Sequence, residues 1–217
     1  MSDTAASRFI TLEGGEGTGK STLQQTLAER LRATGADVVL TREPGGTLLA
    51  EAVRELALHP PGGAAWSPMA EALLMNAARS DHLEKLIRPA LAEGKWVICD
   101  RFSDSTRVYQ SVKGGVPMDV LKNMESSVLG ETVPAITFVL DAPLEATATR
   151  RESRNEKKDA FELRDASFHQ AVRQAFAALA RSEPERCRIL DASRPAKEVA
   201  DAAWALLCSA YGLEEAA

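Results

Sequence analysis

Lys20 follows a run of glycines and precedes two hydroxyl side chains, a grouping suited to holding phosphate. From Gly14 the chain reads Gly14-Gly15-Glu16-Gly17-Thr18-Gly19-Lys20-Ser21, then Thr22, which matches G-x-x-x-x-G-K-[ST]. Glycines let backbone N–H groups close around phosphate oxygens without a Cβ in the way. The helix that follows aims its partly positive N-terminus at the same anion. Lys20 is placed to reach the β- and γ-phosphates of a triphosphate, and the Ser21 hydroxyl to hold Mg²⁺. A chance glycine-rich turn is the bland alternative, and the flanks argue against it. Phe9, Ile10 and Leu12 form a short apolar run suited to a buried strand. Leu23, Leu27 and Leu31 recur at i, i+4 and i+8 on one helical face, and Gly35 stops that helix. The loop names a ligand class, not a reaction.

Four further places carry charge that phosphate chemistry can use. Asp100 ends the apolar run Trp96-Val97-Ile98-Cys99, where P-loop proteins place the acid that holds Mg²⁺ directly or through water; otherwise it is a strand-end aspartate capping a loop. Arg101 comes next, and Arg42 stands in Thr41-Arg42-Glu43-Pro44-Gly45-Gly46-Thr47, where proline and two glycines set a tight turn. Each is either a surface arginine or a grip on a second phosphorylated molecule through paired N–H bonds. Arg79 shares a helical face with Met75 at i, i+4. It either snorkels to water or hydrogen-bonds a ligand base against which Met75 packs. Last, Arg150 to Lys158 holds five basic residues against two acidic ones. That is a solvated charge run, or a lid over about 150–162 that brings an arginine to a transferring phosphate, an effect worth roughly 10³–10⁵-fold.

Alternating strand and helix patterns must position these residues. Strands are expected at Phe9–Leu12, Val38–Leu40, Trp96–Cys99, Ala135–Leu140 and Cys187–Leu190. Residues 48–58 read as a helix with Leu49, Val53 and Leu56 on one face. Ser67 reads as the N-cap, with Pro68 at the first position, of a long helix reaching about Ala92. Helices also fit 117–129, a start at Pro143, the stretch through Phe168, Val172, Phe176 and Leu179, and 196–210. The pattern predicts an α/β fold with a mostly parallel sheet, in one domain over residues 1–217. In such sheets ligands lie beyond the carboxyl ends of the strands. That is where the glycine loop, Arg42-Glu43 and Asp100-Arg101 fall.

Composition narrows the partners. The chain has 217 residues, 45% hydrophobic and 26% charged, with net charge −5; this suits a globular domain and advertises no nucleic-acid surface. Cys99, Cys187 and Cys208 show no metal-ligand spacing. Their odd count and the lack of a signal segment point to a reducing cytoplasm. No apolar run approaches membrane-spanning length.

Taken together, the residues resemble the bacterial thymidylate kinase family of P-loop nucleoside monophosphate kinases over nearly the whole chain. The resemblance rests on Glu13 to Thr22, Thr41 to Thr47, Ala77-Ala78-Arg79, Ile87 to Arg101, Ser105 to Gln110 and Asp159 to Glu162. It implies the P-loop NTPase fold, with a five-stranded parallel sheet flanked by helices, a short lid and a homodimer packed through helices. It implies transfer of the ATP γ-phosphate to dTMP, giving dTDP and ADP in dTTP biosynthesis, with Mg²⁺ as cofactor. By position, Arg42 and Arg101 would grip the dTMP phosphate and Arg79 would hydrogen-bond the thymine. Ser105, Thr106, Tyr109 and Gln110 would line the sugar and base pocket. Glu16 would sit near the acceptor phosphate and the 3′-hydroxyl. Met75 stands where the family often has a phenylalanine stacked on thymine, and a thioether can pack on a ring face. The lid pattern Asp-Arg-x-Glu appears as Asp159-Ala160-Phe161-Glu162, so the catalytic arginine is sought among Arg150, Arg151 and Arg154, with Arg154 preferred. Rival readings are a kinase for another monophosphate and a nucleotide switch. Asn155-Glu156-Lys157-Lys158-Asp159 only superficially echoes the guanine motif of a GTPase.

Overall fold

A computed structural model describes residues 7–147 and 159–213. Five strands, β1 (Phe9–Gly14), β2 (Val38–Arg42), β3 (Trp96–Asp100), β4 (Ile136–Asp141) and β5 (Cys187–Asp191), form one sheet in the order β2-β3-β1-β4-β5. Every pairing is parallel. Helices cover both faces. They are α1 (Lys20–Ala33), α2 (Leu48–Leu58), α3 (Pro68–His82), α4 (Arg88–Ala92), α5 (Ser103–Ser111), α6 (Met118–Leu129), α7 (Ala166–Ser182) and α8 (Ala196–Tyr211); residues 144–147 are also helical.

Side chains alternate across each strand, so β1 feeds two cores. Ile10 and Leu12 pack with Leu23, Leu27 and Leu31 of α1 and with Ala203, Trp204 and Leu207 of α8. Phe9 faces the other way, onto Leu83, Ile87, Cys99 and Phe102. Thr11 and Glu13 share that second face and are fully buried, with Thr11 Oγ1 2.7 Å from Thr137 Oγ1 on β4.

The expected strands and the Ser67 cap are present, the latter accepting from the Ala70 N–H at 3.3 Å. The long helix over 68–92 is interrupted by a π turn at Leu83–Ile87, where the Arg88 N–H bonds the Leu83 carbonyl. Pro89 follows directly; it has no N–H for the turn below it, and the wider turn absorbs the mismatch. Two features depart from the periodicity. α5 forms where the residue pattern predicts no helix, because Ser103-Asp104-Ser105-Thr106 are weak helix formers. The Leu49–Leu56 face of α2 does not turn inward: Leu49 is 56% exposed and Leu56 36%, while Ala50, Ala57 and Leu58 are buried instead.

Strand register sets up the site. Arg42 lies opposite Asp100, and Asp100 opposite Leu12, two residues before Gly14. The carboxyl ends of β1, β2 and β3 thus open side by side.

Candidate active site

The glycine loop leaves β1 at Gly14, whose φ of 130° only glycine adopts freely; a Cβ there would come 2.4 Å from the Leu140 carbonyl oxygen. The loop returns as α1, capped by Gly19 in the left-handed region. Lys20 folds back over it, donating to the Gly14 carbonyl at 3.2 Å and the Gly15 carbonyl at 3.0 Å. Burial and the nearby Arg101 push its pKa down. The Ser21 hydroxyl donates to Asp100 Oδ2 at 3.0 Å, joining the two expected metal ligands. A hydroxyl and a carboxylate are the oxygen donors a hard cation takes, so this pair suits Mg²⁺.

Arg101 is the most heavily bonded of the expected site residues. Its backbone is left-handed, with φ 68°. Its Nη1 donates to the Gly14 carbonyl at 3.0 Å and Ser105 Oγ at 3.1 Å. Its Nη2 donates to Tyr109 OH at 3.2 Å and pairs with Glu16. Burial works against its charge, but the Glu16 and Asp100 carboxylates outweigh it and hold the guanidinium protonated. Tyr109 stays a phenol, because burial raises its pKa. Arg42 is held at the cleft mouth by Glu51 at 3.1 Å. The turn beneath it is tight: Glu51 Oε1 accepts the Gly46 N–H at 3.0 Å, and Thr41 Oγ1 meets His82 Nε2 at 2.7 Å.

Arg79 comes from α3 and is buried, not snorkelling. It donates through Nε to Glu43 Oε2 at 2.7 Å, through Nη1 to Asn76 Oδ1 at 3.2 Å and through Nη2 to Thr106 Oγ1 at 2.9 Å. Its guanidinium lies 5.3 Å from the Phe102 ring.

One cavity joins these groups. Glu16, Gly17, Gly19, Lys20, Ser21 and Asp100 line it, together with Arg42 and Arg101 and with Met75, Arg79, Ser105, Thr106, Tyr109 and Gln110. Gly14, Gly15 and Thr18 line a small neighbouring pocket under the loop. Thr22 is exposed on α1. Arg150, Arg151 and Arg154 lie outside the described residues. Asp159 and Phe161, at the far end of the expected lid, line the cavity, and Asp159 Oδ1 accepts the Phe161 N–H at 2.8 Å and the Glu162 N–H at 2.9 Å.

Sequence reasoning missed three supporting acids and one arginine. Glu13 accepts from the Phe102 N–H at 2.8 Å, the Ser105 N–H at 3.1 Å and Ser105 Oγ at 2.6 Å, so a β1 carboxylate caps α5. Burial and the adjacent Asp104 raise its pKa to about 7. A carboxylate closing an apolar strand run was the signal available. Glu43 orients Arg79 and His82, and Glu71 holds Gln110 at 3.1 Å. Arg54 lines the cavity and donates to the Pro44 carbonyl at 3.0 Å; nothing in its helical context marked it.

Known proteins align with this architecture throughout. The family model described as Thymidylate kinase matches residues 12–203. The thymidylate kinase of Caulobacter vibrioides is 50% identical over 186 residues, 85% of this chain and 88% of that protein. That of Pseudomonas fluorescens is 50% identical over 199 residues, 92% of this chain and 94% of that one. The crystal structure of thymidylate kinase from Ehrlichia chaffeensis superposes with a TM-score of 0.74 at 34% identity, covering 92% of this chain and 97% of that chain. With the family model and full-length relatives agreeing, the chain belongs to the thymidylate kinase family.

Proposed function

We propose that the glycine loop and the arginine pair are the donor and acceptor halves of one phosphoryl-transfer site. The reaction is transfer of the ATP γ-phosphoryl group to dTMP, giving dTDP and ADP for dTTP synthesis. Gly14 to Thr22 hold the ATP phosphates, with Lys20 on the β- and γ-oxygens. Arg42 and Arg101 grip the dTMP phosphate, and Arg101 brings its oxygen in line with the γ-phosphorus. Glu16 fixes Arg101 and faces the sugar 3′-hydroxyl. Arg79, Thr106 and Gln110 meet the base, Met75 packs on it, and Ser105 and Tyr109 close the sugar side. Ser21 and Asp100 hold Mg²⁺, which when bound neutralises charge on the β- and γ-phosphates. Arg154 is the proposed lid arginine, and closure keeps water from taking the phosphoryl group. Catalysis is then positioning and charge neutralisation, without a covalent enzyme intermediate.

The observation that carries this reading is that Lys20, Arg101 and Gln110 line one and the same cavity. Lys20→Ala is expected to cut turnover by orders of magnitude with the fold intact. A coupled ADP-release assay with dTMP, dUMP, dCMP, AMP and GMP tests the acceptor; preference for AMP or GMP, or nucleotide hydrolysis indifferent to any monophosphate, would overturn it.

A homodimer is proposed through α2 and α3, which pack together and expose Leu48, Leu49, Leu56, Met69 and Leu73. Cytoplasmic residence, with no nucleic-acid or membrane partner, is part of the proposal. Among the described residues no helix is long and apolar enough to cross a membrane, and Cys99, Cys187 and Cys208 are free thiols.

A further inference from the structure

We infer that Glu71 is a positioning residue that decides which end of the Gln110 amide the base meets, and so sets which pyrimidine is accepted. The inference rests on the proposed role of Gln110 in the base pocket. Gln110 lines the cavity, and Glu71, on α3 behind it, is 5% exposed. Both Glu71 oxygens are engaged: Oε2 accepts from Gln110 Nε2 at 3.1 Å and Oε1 from Arg164 Nη2 at 2.5 Å. Arg164 is itself held, 4.5 Å from the rings of both Phe161 and Phe168.

A free glutamine amide presents either its NH₂ or its carbonyl, because a half-turn exchanges them. An ionised carboxylate only accepts hydrogen bonds. Facing Glu71, the amide is therefore locked with NH₂ toward the carboxylate. Its carbonyl oxygen is the end left for the cavity, and among the described residues that oxygen takes no hydrogen bond. One turn back on α5, Thr106 Oγ1 accepts from Arg79 Nη2 at 2.9 Å, and Arg79 lines the same cavity as Gln110.

An acceptor next to donors complements a pyrimidine that carries N–H at ring position 3 and a carbonyl at position 4. Thymine and uracil have that pattern. Cytosine presents a lone pair at position 3 and an amine at position 4, the reverse. Sites built around such pairings reject the mismatched analogue far more strongly than apolar pockets reject a methyl difference. Glu71 thus excludes cytosine without touching it, and leaves thymine and uracil to be told apart elsewhere.

The test is Glu71→Gln, which keeps the shape but lets residue 71 donate as well as accept, freeing the Gln110 amide to turn. Steady-state kcat and KM are measured for dTMP and dCMP at saturating ATP. The kcat/KM ratio of dTMP to dCMP is expected to shrink by roughly tenfold or more, through a higher dTMP KM and improved dCMP use, with the KM for ATP unchanged. An unchanged ratio overturns the inference, whether both substrates fall together or neither moves. Gln110→Ala separates the two layers. If it leaves the ratio untouched, the base-pocket reading fails. If it narrows the ratio while Glu71→Gln does not, only the role of Glu71 fails. In the Gln110→Ala background, Glu71→Gln should change the ratio no further; an additional change means that Glu71 acts elsewhere and overturns the inference. Should Glu71→Gln not fold, Arg164→Gln removes the cation that fixes Glu71. It should narrow the ratio by about threefold, and an unchanged ratio again overturns the inference.

Discussion

Arg101 holds a left-handed backbone at φ 68°, and comparing two substitutions there isolates what that conformation costs. Arg101→Ala and Arg101→Gly delete the same guanidinium, with its bonds to Gly14, Ser105 and Tyr109 and its ion pair with Glu16. Whatever those interactions contribute cancels between the two variants, leaving the backbone. Alanine keeps a left-handed cost of about 1–2 kcal/mol. Glycine avoids that cost but gives up about 0.5–1 kcal/mol of chain freedom on folding. The smaller residue should therefore give the more stable protein by about 0.5–1 kcal/mol, or roughly 1–4 °C in a chain of this size. Urea and thermal unfolding of the two variants side by side measure it. Both should lose dTMP turnover alike, far more than they lose ATP binding. Arg101→Ala equal or superior in stability to Arg101→Gly would refute the strained-backbone reasoning. Equal loss of ATP and dTMP affinity would refute the acceptor role.

Three further outcomes follow from the site and its supports. Glu13 has its pKa raised from 4.5 to about 7, first by burial and then by Asp104, against the pull of Ser105, Arg101 and the Phe102 amide. A raised acid stabilises the fold below its unfolded pKa, and that contribution is lost as pH climbs through the folded one. Between pH 4.5 and 7, wild-type stability should fall by about 3 kcal/mol relative to Glu13→Gln; parallel pH profiles of unfolding would contradict this. Gly46→Ala would place a Cβ 2.4 Å from His82 Nε2 and 2.5 Å from Thr41 Oγ1. It should cost about 2–3 kcal/mol in urea unfolding and raise the dTMP KM, whereas wild-type values would show the turn to be yielding. Leu49→Asp should convert a dimer to a monomer in sedimentation velocity, and wild-type protein already sedimenting as a 23.4 kDa species would end the dimer proposal.

The glycine loop was legible because its spacing carries its own mechanism, and the strand ends were legible because Asp100 and Asp141 each interrupt an apolar run. The parallel sheet followed from alternation. What stayed hidden depends on distant partners. α5 supplies much of the cavity wall, yet Val108 and Tyr109 are its sole apolar residues, and its cap comes from Glu13, 89 and 92 positions earlier. Arg79 looked like a side chain that snorkels or reaches a ligand. Its orientation depends on Glu43, 36 positions away, and no local pattern encodes that. The Leu49–Leu56 stripe was seen as a face, but periodicity does not say whether a face turns to the core or to another surface.

Both arginines of the proposed acceptor grip carry an internal counter-ion, Glu51 for Arg42 and Glu16 for Arg101. Any arriving oxyanion must therefore compete with a tethered carboxylate at a high effective concentration. Inorganic phosphate or sulfate has only its charge to offer in that exchange and gains little from it. A nucleotide whose sugar and base are also recognised brings enough additional contact to tip the balance. In the proposed reaction the acids beside the arginines would weigh against bystander anions, Glu16 in its largely buried pair more than Glu51 in its exposed one.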